Sequence, residues 1–104
     1  MNAQQVAQTI LRQLGGSGRL ASMIGAYNFA HSTDPDGFSV QFRFKGSRVA
    51  NFVKITLSPD DCYAIEFGMI RKTAYEQGKC LQMIYADQLI EIFENHTNLR
   101  LRLF

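Results

Sequence analysis

Phe38-Ser39-Val40-Gln41-Phe42-Arg43-Phe44-Lys45 decides the fold of this chain. Phe38, Val40, Phe42 and Phe44 alternate with Ser39, Gln41, Arg43 and Lys45, a period of two that a strand with one buried and one wet face explains. Working outward, Val53, Ile55 and Leu57 alternate with Phe52, Lys54 and Thr56, and Tyr63, Ile65, Phe67 and Met69 alternate with Ala64, Glu66, Gly68 and Ile70. Three strands are therefore predicted. Their links, Gly46 to Ala50 and Ser58-Pro59-Asp60-Asp61, are too short for a helical crossover, so the strands run antiparallel as a meander.

The flanks supply the other elements. Ala3, Val6, Ala7, Ile10, Leu11 and Leu14 share the spacing of one helix face, and Gly15-Gly16 ends that helix. Arg19 to Ala26 reads as one amphipathic turn beside it. Tyr27 to Ser32 is expected as a further strand, with Tyr27 and Phe29 on one face, and Thr33-Asp34-Pro35-Asp36-Gly37 as the turn into Phe38. Arg71 to Lys79 is polar, and Gln77-Gly78-Lys79 reads as either a hairpin tip or a mobile loop. Cys80 to Met83 briefly extends the sheet. Tyr85 to His96 forms the second helix, with Tyr85, Leu89, Ile92 and Phe93 on its apolar face, and Leu99 to Phe104 is a last short strand because its leucines alternate with arginines. The expected architecture is α+β: one domain, residues 1–104, with a twisted antiparallel sheet of four or five strands and two helices packed on one face.

Composition sets limits on function. The 104 residues, 46% hydrophobic, supply one core and not two independent ones. No apolar run approaches the roughly 20 residues that span a bilayer, and Met1 to Leu14 lacks the layout of a signal peptide, so a cytoplasmic protein is expected. Cys62 and Cys80 are too few for a disulfide framework and are expected as free thiols. A net charge of +2 does not by itself demand a polyanionic partner, but it is unevenly spread. Arg43, Lys45, Arg48 and Lys54 fall in a stretch without an acidic residue, whereas Asp87, Glu91 and Glu94 lie together near the end.

Candidate chemistry is sparse. Gly15-Gly16-Ser17-Gly18-Arg19 follows a helix and lacks the lysine of a phosphate loop, and Asp34-Pro35-Asp36-Gly37 lacks the acidic series of a calcium loop. His31, His96, Cys62 and Cys80 have no zinc-site spacing. Asp60 and Asp61 read as turn residues, and Glu66 as the cross-strand neighbour of Lys54. No enzyme, metal or cofactor is therefore expected. The outer face of the sheet is the exception: Arg43, Lys45, Lys54 and Phe52, with Arg48 in the adjoining loop, mix cations and an aromatic in the way that binds phosphates and stacks a base.

A helix, three antiparallel strands and a helix is also the order of double-stranded-RNA-binding domains, but the turn corresponding to their basic helix start is Tyr85-Ala86-Asp87-Gln88, which is acidic. A second resemblance covers more of the chain. Gln13-Leu14-Gly15-Gly16, Met23, Gly25-Ala26 and Asn28-Phe29, then Val53-Lys54-Ile55-Thr56-Leu57, Asp61, Tyr63, Glu66-Phe67 and Ile70-Arg71, and finally Tyr85-Ala86-Asp87-Gln88-Leu89, Ile92-Phe93-Glu94 and Thr97 resemble short uncharacterised proteins of phages, prophages and bacterial mobile elements. That resemblance implies no particular activity. It favours a small non-enzymatic accessory or host-interaction protein acting on an unidentified protein partner, with the Leu99–Phe104 edge available for a homodimer. The alternative expectation is a nucleic-acid-binding module using Arg43, Lys45, Arg48, Phe52 and Lys54.

Overall fold

The computed structural model describes residues 3–35 and 37–101. Helix α1 (Ala3–Gln13) and helix α2 (Ser17–Ile24) precede strands β1 (Tyr27–Asp34), β2 (Gly37–Arg43), β3 (Phe52–Leu57), β4 (Tyr63–Arg71) and β5 (Ala74–Ile84). A short 3₁₀ turn (Ala86–Gln88) leads into helix α3 (Leu89–Thr97). The strands form one antiparallel sheet in the order β1-β2-β3-β4-β5, the expected meander. Among the described residues, the fold is α+β with five strands and three α-helices.

The period of two becomes a core face. Val40, Phe42 and Phe44, Val53 and Ile55, and Tyr63, Ile65 and Phe67 are all buried, in one cluster with Val6, Ile10 and Leu14 of α1, Leu20 and Ile24 of α2, and Leu89 and Phe93 of α3. Phe93 joins the layers, its ring centroid 5.0 Å from Phe44 and 5.8 Å from Phe67. Fully burying one such side chain is worth about 1.5–3 kcal/mol. Helix α2 is a complete helix where one turn is expected from sequence. It ends at Gly25, whose left-handed backbone (φ 65°) lets its N–H reach Ala21 O, while Ala26 N–H reaches Leu20 O. Lys45 N–H then bonds Ile24 O at 2.9 Å, fixing the end of α2 to the chain leaving β2.

Bulges account for most departures from the expected pattern. In β1, residues Tyr27 to Ala30 oppose Arg43 to Gln41, one residue too many, and Asn28 takes up the excess with φ 58°. Tyr27 and Phe29 therefore lie on opposite faces, not on one: Phe29 packs its ring 5.2 Å from Phe42, whereas Tyr27 is in register with Arg43. Strand β5 has two bulges. Leu81 to Ile84 oppose Ile65 to Tyr63, so Leu81 and Ile84 both turn coreward although they are three apart. Gln77 to Cys80 oppose Gly68 to Glu66 across Gly78. The hairpin tip is consequently Lys72-Thr73, with Lys72 at φ 57°, and Gln77-Gly78-Lys79 is neither tip nor loop but the interior of an eleven-residue strand.

The two ends of the second half also differ from expectation. The predicted helix Tyr85–His96 is split, with the Gln88 side chain accepting from Tyr85 N–H at 2.9 Å at the start of the 3₁₀ turn. Residues 99–101 are not a strand. Asn98 closes α3 in a left-handed conformation, Glu94 Oε2 accepts from Leu101 N–H at 2.8 Å, and Leu101 is buried. The side chain of a buried acid thus holds the segment back against the core, and the rest of the expected strand, residues 102–104, lies outside the described residues. Among the described residues, no helix is long and apolar enough to cross a membrane.

Candidate nucleic-acid interface

Residues that alternate with the core set form the second face of the sheet, and register fixes their neighbours. One row across the strands is Tyr27 (β1), Arg43 (β2), Phe52 (β3) and Gly68 (β4). The next is Gln41, Lys54, Glu66 and Cys80. Glycine at position 68 matters because the Tyr75 ring lies over it: a Cβ there would stand 2.3 Å from Tyr75 Cε1. Tyr75 thereby completes the first row, its ring 5.4 Å from Phe52 in an edge-to-face arrangement and its hydroxyl donating to Glu66 Oε2 at 2.5 Å. Burial, then the hydrogen bond to Glu66 and its negative charge, raises the Tyr75 pKa, so the hydroxyl remains a donor throughout the physiological range.

The cations collect at one end of this row. Arg43 places its guanidinium carbon 5.5 Å from the centroid of the Tyr27 ring, and Lys45 Nζ lies 5.3 Å from the same centroid. The Lys45 stem runs beside Gly25, close enough that a Cβ on that residue would lie 3.5 Å from it. Arg48 is exposed in the loop between β2 and β3. The antiparallel order brings the β4–β5 tip, with exposed Arg71 and Lys72, to the same end of the sheet. Of the nearby carboxylates, Glu66 is engaged by Tyr75, and Glu76 pairs in register with Met69, whose parity is that of the core face.

Beyond the row the sheet holds a half-open hollow of about 760 Å³, with Lys54, Thr56, Glu66, Gln77, Cys80 and Met83 in its lining. Gln77 and Cys80 share this face only because the bulge at Gly78 interrupts the alternation. Gln77 Nε2 donates to Cys80 Sγ at 3.0 Å.

The sequence-predicted residues are thus partly united. Arg43, Lys45 and Phe52 belong to one row or its end, Lys54 sits in the adjoining row opposite Glu66, and Arg48 is in the nearby loop. Tyr27 and Tyr75 were not anticipated. Asn28, a residue type tolerant of the left-handed conformation, was the local signal for the bulge that turns Tyr27 outward.

Other candidate chemistry resolves into structural roles. The Asp60 carboxylate accepts from the Ser58 hydroxyl, which lowers its pKa, and Ser58 N–H bonds Cys62 O at 2.9 Å within the turn. His96 stacks 4.4 Å from Phe67, and burial followed by the charge of Lys79 lowers its pKa. His31 is exposed on β1. Cys62 is buried, Cys80 is exposed, and both are free thiols. Among the described residues, no group of three or more His, Cys, Asp and Glu side chains comes together to hold a metal.

Fold and face together define an α+β domain with a cation-flanked aromatic row on its sheet. Comparisons with protein-family models, curated proteins and solved structures gave no match, so none points to the phage and mobile-element group expected from sequence.

Proposed function

We propose that the protein is a non-enzymatic module that binds single-stranded nucleic acid across the second face of its sheet, the helices being packed on the core face. The observation that supports this best is the row Tyr27, Arg43, Phe52 and Tyr75, with Lys45 beside Tyr27, Arg48 in the loop between β2 and β3, and Arg71 and Lys72 at the β4–β5 tip on the Tyr75 side. Unpaired bases stack on exposed rings with about 1–3 kcal/mol each, and the surrounding cations neutralise phosphates along the strand. A duplex buries its base faces and gains only the second of these, so single strands bind preferentially. The acidic turn at Asp87 belongs to the segment before α3 and not to this row.

Titration of labelled oligonucleotides at low salt tests the reading. Binding should weaken by about 0.7 log unit per log unit of salt for each single-strand phosphate neutralised. Phe52→Ala should weaken single strands more than duplexes, and Lys45→Glu combined with Arg48→Glu should abolish binding of both without altering the thermal melt. Absence of micromolar binding to any single strand at low salt would overturn it.

A protein partner is the second reading, favoured by a specific observation on β5. Among the described residues this strand is the last of the sheet, and Met83 on it and Tyr85 just after it are 67% and 59% exposed. An open strand edge beside exposed apolar side chains accepts an extended peptide by strand addition. Such a role accords with a small accessory or host-interaction protein, and Tyr85→Ser, outside the hollow, would weaken it while leaving oligonucleotide binding intact.

A further inference from the structure

We infer that the hollow beside the aromatic row selects guanine among the bases of a bound single strand, an inference that rests on the proposed nucleic-acid reading. Lys54 and Glu66 are directly opposite each other on β3 and β4, and both line the hollow. Side chains at such positions stand about 5 Å apart at their Cβ atoms. Glu66 is set in place by the Tyr75 hydroxyl, and Tyr75 contacts the Phe52 ring, so the carboxylate lies at the border between the stacking row and the hollow. A base stacked on Tyr75 can therefore direct its polar edge at Glu66 and Lys54.

The chemistry of the pair chooses the base. A carboxylate accepts and an ammonium donates, so the edge it meets must present donors on one side and an acceptor on the other. Guanine offers two adjacent donors, N1–H and the N2 amino group, followed by the O6 acceptor. Glu66 takes the two donors, its Oε2 retaining a lone pair beside the Tyr75 hydrogen bond, and Lys54 donates to O6. Uracil and thymine present a single N–H between two carbonyls, which sets an acceptor against the carboxylate. Adenine and cytosine each present one amino group beside a ring-nitrogen acceptor, leaving half of the carboxylate without a donor. Gln77, also in the lining, can donate or accept and so adds contact without overriding this choice.

The test uses the full chain and fluorescence anisotropy at low salt, with an oligouridylate carrying one central guanosine compared with the same oligomer carrying inosine, adenosine or uridine there. Guanosine should bind about tenfold more tightly than adenosine or uridine, the discrimination that a well-placed bidentate contact supplies. Inosine, which lacks the N2 amino group, should fall between. Glu66→Gln should bring the guanosine and adenosine oligomers to about equal affinity, the readout being the ratio between them within the variant. Tyr75→Phe, which keeps the ring but frees the carboxylate, should lower the ratio of guanosine to adenosine affinity within the variant. Binding of all oligomers without a guanosine preference, or a preference that survives Glu66→Gln, would overturn the inference and leave the proposed function standing. No binding of any oligomer would overturn both.

Discussion

Asn51 substitutes for a missing strand residue, and replacing it should reveal what that substitution is worth. Strand β3 begins at Phe52, in register with Gly68, so β4 continues past it toward the hairpin tip with its backbone groups uncovered. The Asn51 amide fills the gap: its Oδ1 accepts from Ile70 N–H at 2.7 Å and its Nδ2 donates to Ile70 O at 2.8 Å. Asn51→Ala removes both bonds, at about 0.5–1.5 kcal/mol each, a total of about 1–3 kcal/mol or a fall of roughly 5–15 °C in melting temperature for a domain of this size. Asn51→Asp is the sharper perturbation. It keeps the acceptor for Ile70 N–H but turns a carboxylate oxygen toward Ile70 O, so at pH 7 it should be less stable than Asn51→Ala. The repulsion raises the folded-state pKa of the introduced carboxyl above its unfolded value of about 3.9. Its protonated form can donate to Ile70 O, so relative stability is present below the unfolded pKa and is lost as pH rises through the folded one. Thermal melts of the two variants between pH 4 and 7 should show Asn51→Asp gaining on Asn51→Ala as pH falls. If Asn51→Asp is the more stable at pH 7, or the gap does not change with pH, the amide is not acting as a strand mimic.

Gly37→Ala should destabilise by on the order of 1–3 kcal/mol in chemical denaturation, because φ is 140° and the added Cβ would meet Leu57 O at 2.0 Å; an unchanged midpoint would refute the close approach of β2 to β3. Gly68→Ala should displace the Tyr75 ring and weaken single-strand binding more than it lowers the melting temperature, as read by parallel titration and calorimetry. Leu101→Ala should cost about 2–5 kcal/mol, far more than an exposed terminal residue would, because Leu101 is fully buried under the Glu94 contact. His96 has a folded pKa below its unfolded value, so its contribution to stability is present above the unfolded pKa of about 6.5 and is lost as pH falls through the folded pKa; an NMR titration should place its midpoint low, and Lys79→Gln should move it up.

The alternation at Phe38–Phe44, Val53–Leu57 and Tyr63–Met69 was legible because each residue of a regular strand finds its face from its own neighbours. Those runs, the short links between them and the helical spacing of Ala3–Leu14 were enough to determine an antiparallel α+β domain, its main core residues, and the outward placement of Arg43, Phe52 and Lys54. Tertiary structure decided what depends on counting residues across two strands at once. The Asn28 bulge sends Tyr27 to the face of Arg43, and the β5 bulges bring Gln77 with Cys80, and Leu81 with Ile84, to common faces although each pair is three residues apart. Read alone, Arg71 to Lys79 is polar and shows no period, and only Cys80 to Met83 suggests a strand. Its strand exists because β4 supplies hydrogen-bond partners along almost its whole length, and that pairing, not local propensity, also lays Tyr75 over Gly68 beside Phe52. At the other end, Leu99 and Leu101 carry the alternation of a strand, yet the nearest partner for the Leu101 N–H is the Glu94 carboxylate on the preceding helix, and a buried N–H takes the acceptor that the packed fold brings to it.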